Sequence, residues 1–213
     1  MIIVKPFTSN IDPNNHYTTR LHFGNGVVKN FYMRGAIAWP EGKKEGFALM
    51  AGLDLIENVV IIFEQFRFWT ISHWLKADGN IHEREDGPGY HLGLIQFITG
   101  NLSLYRCCSY FWGGQHVDIW NRYGKEVYGH SQTPRRIELI EVPYVKEIGE
   151  NLLLEKLKTR KFKGESDSLL SQSTTQFVNM RAADATYDNA TLALMVLLAG
   201  FEFQPWVKIL EAE

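Results

Sequence analysis

Two apolar segments, lying back to back, constrain this chain more than anything else in it. GFALMAGLDL, residues 46–55, is almost unbroken in its apolar character. NVVIIFEQFRFWT, residues 58–70, is crowded with β-branched and aromatic side chains. Both compositions favour strands, and runs without polar alternation suit strands covered on both faces. Ile56, Glu57 and Asn58 between them read as a hairpin connection. The expectation is a long antiparallel pair at the start of a domain spanning 46–213.

The remaining patterns dress that hairpin. Residues 90–105 carry Leu92, Ile95, Phe97, Ile98 and Leu102 at near-helical spacing. CCSYFW reads as a short buried strand running into GGQHVDIWNRYG, a Gly-rich turn and short helix. RIELIEVPYV is a further strand. Residues 147–157 and 166–179 read as helices, and ATYDNATLALMVLLAGFEF as a strongly apolar one with Gly200 near its C-terminus. Strands alternating with helices after an opening hairpin predict an α/β fold, a mixed central sheet flanked by helices. Residues 1–45 are polar and turn-rich, with SNIDPNN, FGNG (a hairpin turn) and RGAIAWPEGKKEG, and read as an N-terminal extension.

A chain of 213 residues with 45% hydrophobic composition buries enough surface to fold without disulfides or a structural metal. The two cysteines, Cys107 and Cys108, are adjacent, a spacing that disfavours a structural bridge and points to a reducing compartment. The opening MIIVKPFTSN has no signal-peptide apolar core, and the apolar stretch at 192–203 is shorter than the ~20 residues a bilayer requires. The expected location is cytoplasmic. A formal net charge of -2 argues against a surface coated in positive charge. The densest cations, Lys156, Lys158, Arg160, Lys161 and Lys163, lie in LEKLKTRKFKG and read either as a solvated helix face or as a phosphate-contacting patch.

Three aspartates carry the chemistry. Asp54 stands among apolar neighbours in ALMAGLDLI, where a lone carboxylate is costly unless paired or metal-bound; its other reading is a turn aspartate. Asp118, in FWGGQHVDIWNRYG, follows a short strand at a strand-to-helix junction, or caps a helix beginning at Ile119. Asp188 opens the most apolar helix, one helical turn after Asp184, and also reads as a cap. Taken together, one carboxylate on a first strand, one after a later strand and one on a C-terminal helix form a set suited to two Mg²⁺ or Mn²⁺ ions.

AGLDL, HVDIWNRYG and YDNATLALMVLL together resemble the motifs of the ribonuclease-H-like fold, more narrowly the nuclease domain of phage terminase large subunits. The resemblance covers residues 46–203. It implies an endonuclease that cleaves DNA with two Mg²⁺ or Mn²⁺ ions held by Asp54, Asp118 and Asp188. Lys156, Lys158, Arg160, Lys161 and Lys163 would contact the DNA backbone. No G-x-x-x-x-G-K-[ST] loop occurs, so the resemblance implies that the ATPase motor is a separate partner subunit.

Two other classes compete. A non-catalytic binding or assembly module on a similar fold predicts aspartates that lie apart or cap backbone amides. An enzyme with an aromatic cleft for a sugar predicts paired carboxylates beside exposed Trp69, Trp74, Trp112, Trp120 or Trp206; these tryptophans also read as core. His73, His82, His91 and His116 match no zinc spacing. Glu64, on the second strand of the hairpin, reads as a fourth ligand or as a cross-strand surface residue, the surface reading being preferred.

Overall fold

The computed structural model describes residues 6–12, 15–38, 45–68, 97–113 except 99, 103, 106 and 108, 138–143, 145–164, 169–179 and 187–203. Its strands are β1 (Pro6–Asp12), β2 (Asn15–Phe23), β3 (Val28–Ala38), β4 (Gly46–Asp54), β5 (Val59–Phe68), β6 (Ser109–Gly113), β7 (Glu138–Glu141) and β8 (Phe162–Lys163). The helices, numbered here among the described residues, are α1 (Val145–Lys158), α2 (Leu169–Asn179) and α3 (Asn189–Phe203). The described residues between 97 and 105 are also helical.

β3 organises the sheet. Along one edge it pairs antiparallel with β4 from Phe31 to Ala38. Its other edge is shared: residues from Val28 to Tyr32 pair antiparallel with β2, and Gly35 to Ala38 pair parallel with β6. β5 continues antiparallel beyond β4, and β7 continues parallel beyond β6. The expected hairpin is present over residues 46–68, with 69 and 70 outside the described residues, and the mixed sheet flanked by helices is as the sequence predicts. FGNG does turn between β2 and β3, with Gly26 at φ 79. β3, within the stretch expected to be an N-terminal extension, lies between β4 and β6 in the same sheet. Its residues from Phe31 to Ala38 are all buried. A strand covered on both faces shows no two-residue alternation, and Arg34 and Gly35 interrupt its apolar character.

One face of the sheet contributes Tyr32, Ala36, Ala38, Phe47, Leu49 and Ala51 to a core shared with α3. The opposite face, with Phe31, Met33, Ile37, Ala48 and Met50, packs on Ile98 and Tyr105. α3 is buried from Ala190 to Phe201 apart from Leu192, which is partly buried. A helix apolar all round needs cover all round; the sheet supplies it on one side and α1 on the other. The approach to α1 is close, since a Cβ on Gly149 would meet the Met195 carbonyl oxygen at 2.6 Å. Gly200 lies near the C-terminus of α3, as expected, three residues before Phe203. It sits where the Phe111 ring leaves no room for a Cβ, 2.2 Å from the nearest ring carbon. No helix among the described residues is long and apolar enough to cross a membrane.

A β-bulge interrupts β5, where Met50 pairs with Glu64 but Ala51 pairs with Ile62. The extra residue reverses the alternation. Glu64 is consequently half-buried, and its Oε1 accepts the Tyr105 hydroxyl at 3.0 Å. The surface reading of Glu64 is thereby corrected. Burial pushes the Tyr105 phenol above its ordinary pKa, and the Glu64 charge adds to the shift.

Candidate functional site

The two ends of β4 define two separate polar regions. β4 runs nine residues from Gly46 to Asp54; at roughly 3.3 Å per residue its ends lie ~26 Å apart. Asp54 and Asp188 belong to opposite ends.

Asp54 closes the β4–β5 hairpin. Its Oδ1 accepts the backbone N–H groups of Ile56 at 3.0 Å and Glu57 at 3.1 Å. Its Oδ2 accepts the Lys29 ammonium at 2.7 Å, which also bonds Glu57 Oε1 at 2.7 Å. The Asp54 side chain is 3% exposed and that of Lys29 28%. Burial alone would raise the Asp54 pKa, but the Lys29 hydrogen bond and the amides of Glu57 and Ile56 hold it below the usual carboxylate range. For Lys29, burial works downward, and the bonds to Asp54 and Glu57 together outweigh it and raise the ammonium. The carboxylate that looked unpaired in the sequence is therefore paired, by a lysine 25 positions earlier. Nothing local in the chain signals that partner.

The cations of the 156–163 run gather at this same end. α1 ends in a turn that brings β8 parallel to β5, with Val60 N–H donating to the Lys161 carbonyl at 3.0 Å. Lys156 donates to Asn58 O at 3.2 Å and Asn58 Oδ1 at 3.0 Å. Burial lowers its pKa, with the Lys161 charge also acting downward and Glu155 opposing. Lys163 approaches Glu57 at 3.9 Å. Lys158 and Arg160 are exposed, and among the described residues no side chain pairs with Lys158, Arg160 or Lys161.

The other end collects α3's N-terminus and the finishing residues of β3, β6 and β7. Asp188 is the N-cap of α3: its Oδ1 accepts Thr191 N–H at 2.7 Å, and its carbonyl accepts Leu192 N–H at 2.9 Å. Ser173 on α2 donates to Asp188 Oδ2 at 2.7 Å. Asn189 donates its amide to the Glu45 carbonyl, docking this helix end at the start of β4. Asp188 remains exposed, and each of its oxygens keeps a lone pair beyond those used. Glu141, exposed, ends β7, which pairs parallel with β6. Glu45 pairs with Arg67 at 3.4 Å.

Asp118, His116 and Asp184 lie outside the described residues, as do His73, His82, His91 and the side chains of the five tryptophans named above. Among the described residues, no three His, Cys, Asp or Glu side chains are grouped to hold a metal ion. Asp54, with both oxygens engaged by a cation and turn amides, does not fit as an ion ligand. Asp188, capped yet exposed, does.

This is an α/β protein with a mixed sheet and a carboxylate-bearing helix N-terminus at the end where its parallel strands finish. No family model matches the chain, and no curated protein matches it. Among solved structures, it is similar to the crystal structure of the yeast mitochondrial Holliday junction resolvase Ydc2, at 12% identity and a TM-score of 0.44, over 77% of this chain and 75% of that one.

Proposed function

We propose that this protein is a ribonuclease-H-like nuclease acting on DNA, with its reactive centre at the sheet end that carries Asp188. The observation that supports this most is the strand arrangement. The antiparallel series β3–β4–β5 has β6 and β7 added in parallel on the other side of β3, the order expected of a ribonuclease-H-like sheet. Asp188 then stands on a late helix beside the end of the first strand of that series. Asp118 is five residues beyond Gly113, a reach of at most about 17 Å. That span falls short of Asp54, which lies at the opposite end of β4 from the strand end at Gly113.

The chain's own part is to present carboxylates. The Ser173 hydroxyl and the Thr191 N–H hold the Asp188 carboxylate in a fixed orientation at the start of α3. Asp118 would be the second ligand. Mg²⁺ or Mn²⁺, when bound, would polarise a water and stabilise the leaving oxygen of a phosphodiester, with two ions as the fuller form. The terminase reading, with a separate ATPase motor as partner, rests on three motifs; in one of them, AGLDL, the aspartate is engaged in a turn.

The test is nicking of supercoiled plasmid in Mn²⁺. Asp188→Ala and Asp118→Ala should each abolish nicking without unfolding the chain, whereas Asp54→Asn should nick at a temperature where it remains folded. Full activity of both Asp188→Ala and Asp118→Ala would end the nuclease reading. A second reading, a non-catalytic binding module, is favoured by the cap that Asp188 forms. It predicts no nicking by the wild type and a loss of stability, alone, in Asp188→Ala.

A further inference from the structure

The turn that ends α1 has the hydrogen bonds of a Schellman motif. Lys161 N–H donates to the Lys156 carbonyl at 2.9 Å, and Arg160 N–H to the Leu157 carbonyl at 3.3 Å. The residue between helix and strand, Arg160, has φ 54. Glycine is favoured at this position because a Cβ is strained in the left-handed region. Cations within a helix's last turn are explained by its dipole, which accounts for Lys156 and Lys158. It does not account for an arginine at the one position where almost any side chain costs stability. Arg160 is exposed and, among the described residues, has no side-chain hydrogen bond or ion pair to offset the strain. A strained residue whose cost the fold does not recover is a reason to look for a ligand.

What surrounds Arg160 says which ligand. Lys158 and Lys161 flank it without side-chain partners among the described residues, and Lys163, Lys29 and Lys156 continue the positive rim around the β4–β5 turn. Asp54, Glu57 and Glu155 interrupt it. In a chain of net charge -2, this is a local concentration of cations. It lies ~26 Å from the Asp188 end, measured along β4.

We propose that this rim is a phosphate-backbone contact for duplex DNA, remote from the carboxylates, with Arg160 its principal contact. Resting on the nuclease reading, it makes the substrate a duplex that reaches from the rim to the Asp188 end, a span of about 8 base pairs at 3.4 Å each. The rim supplies affinity independent of base sequence and takes no part in bond cleavage.

The test separates the two readings because it uses no metal. Binding of the full chain to a fluorescein-labelled 20-base-pair duplex is followed by anisotropy in EDTA over a range of salt. Arg160→Gly should weaken binding several-fold and reduce the slope of log affinity against log salt by about one. It should also raise Tm, since glycine relieves the strained φ. Arg160→Lys should keep most of the affinity. Asp188→Ala should bind with an unchanged salt slope, so absence of nicking in the wild type would leave this proposal standing. Wild-type affinity and salt slope in Arg160→Gly would overturn it. So would Arg160-dependent binding to phosphatidylserine-containing vesicles without Arg160-dependent duplex binding, which would make the rim a membrane contact.

Discussion

Asp54 and Asp188 illustrate how the same side chain acquires different work from its surroundings. Asp54 holds a hairpin closed from a nearly buried position. Replacing it with Asn leaves Lys29 half-neutralised by Glu57 alone and weakens the turn, at a cost of about 2–3 kcal/mol. Because its folded pKa is depressed, its contribution is fully present above the unfolded value of about 3.9 and is lost as pH falls through the folded value. The raised Lys29 pKa acts in the opposite sense, contributing below about 10.4 and fading as pH rises through its folded value. Urea denaturation of wild type and Asp54→Asn should therefore differ by a constant amount between about pH 5 and pH 9, and converge below about pH 4. A difference that persists undiminished at pH 2 would show that Asp54 acts by packing rather than charge. The partner was not legible in the sequence, because the pairing with Lys29 is made by strand register across β3 and β4.

The elements are held together by close approaches that leave no room for a methyl group. Gly149 lets α1 settle against the backbone of α3, and Gly149→Ala should push the helices apart. A loss of about 1–3 kcal/mol is expected, read as a drop in Tm with a native-like far-UV spectrum. A neutral Gly149→Ala would mean that α1 is free to shift. The helix of 147–157 was legible as an element, since its apolar residues repeat with helical period. Its contact with α3 was not, because glycine in a helix is read first as a weakness, not as an interface. Gly200 carries the same lesson: its place near the end of α3 was legible, and its packing against Phe111 was not. The extent of β3 was hidden for a related reason, since a strand covered on both faces and broken by Arg34 and Gly35 carries no alternating signal.

Across the whole molecule, the sheet works as a ruler. It separates the Asp188 end from the cationic rim by ~26 Å, about 8 base pairs of duplex. If one duplex touches both, the penalty of Arg160→Gly should be present with 20-base-pair duplexes. It should shrink for duplexes below about 8 base pairs that engage only the Asp188 end. A titration of duplex length against affinity for the two proteins checks this; a penalty independent of length would mean that rim and carboxylates bind different ligands. The cations were visible in LEKLKTRKFKG as a cluster. Their separation from Asp188 was not, because it depends on which end of β5 the short β8 joins.

By itself the sequence determined the β4–β5 hairpin, the three helices α1, α2 and α3, and the mixed α/β class. These depend on local propensity and on apolar runs that must be covered. It also determined which side chains were available for chemistry, since Asp54, Asp188 and the 156–163 cations are all where charge is scarce or dense along the chain. Only the tertiary structure decided which of them meet. Asp54 and Asp188 are joined in a single motif set on paper, yet one lies at each end of β4. Proximity in a sheet is set by strand order and register, contacts made between residues far apart in the chain, and no local pattern encodes the distance between two strand ends.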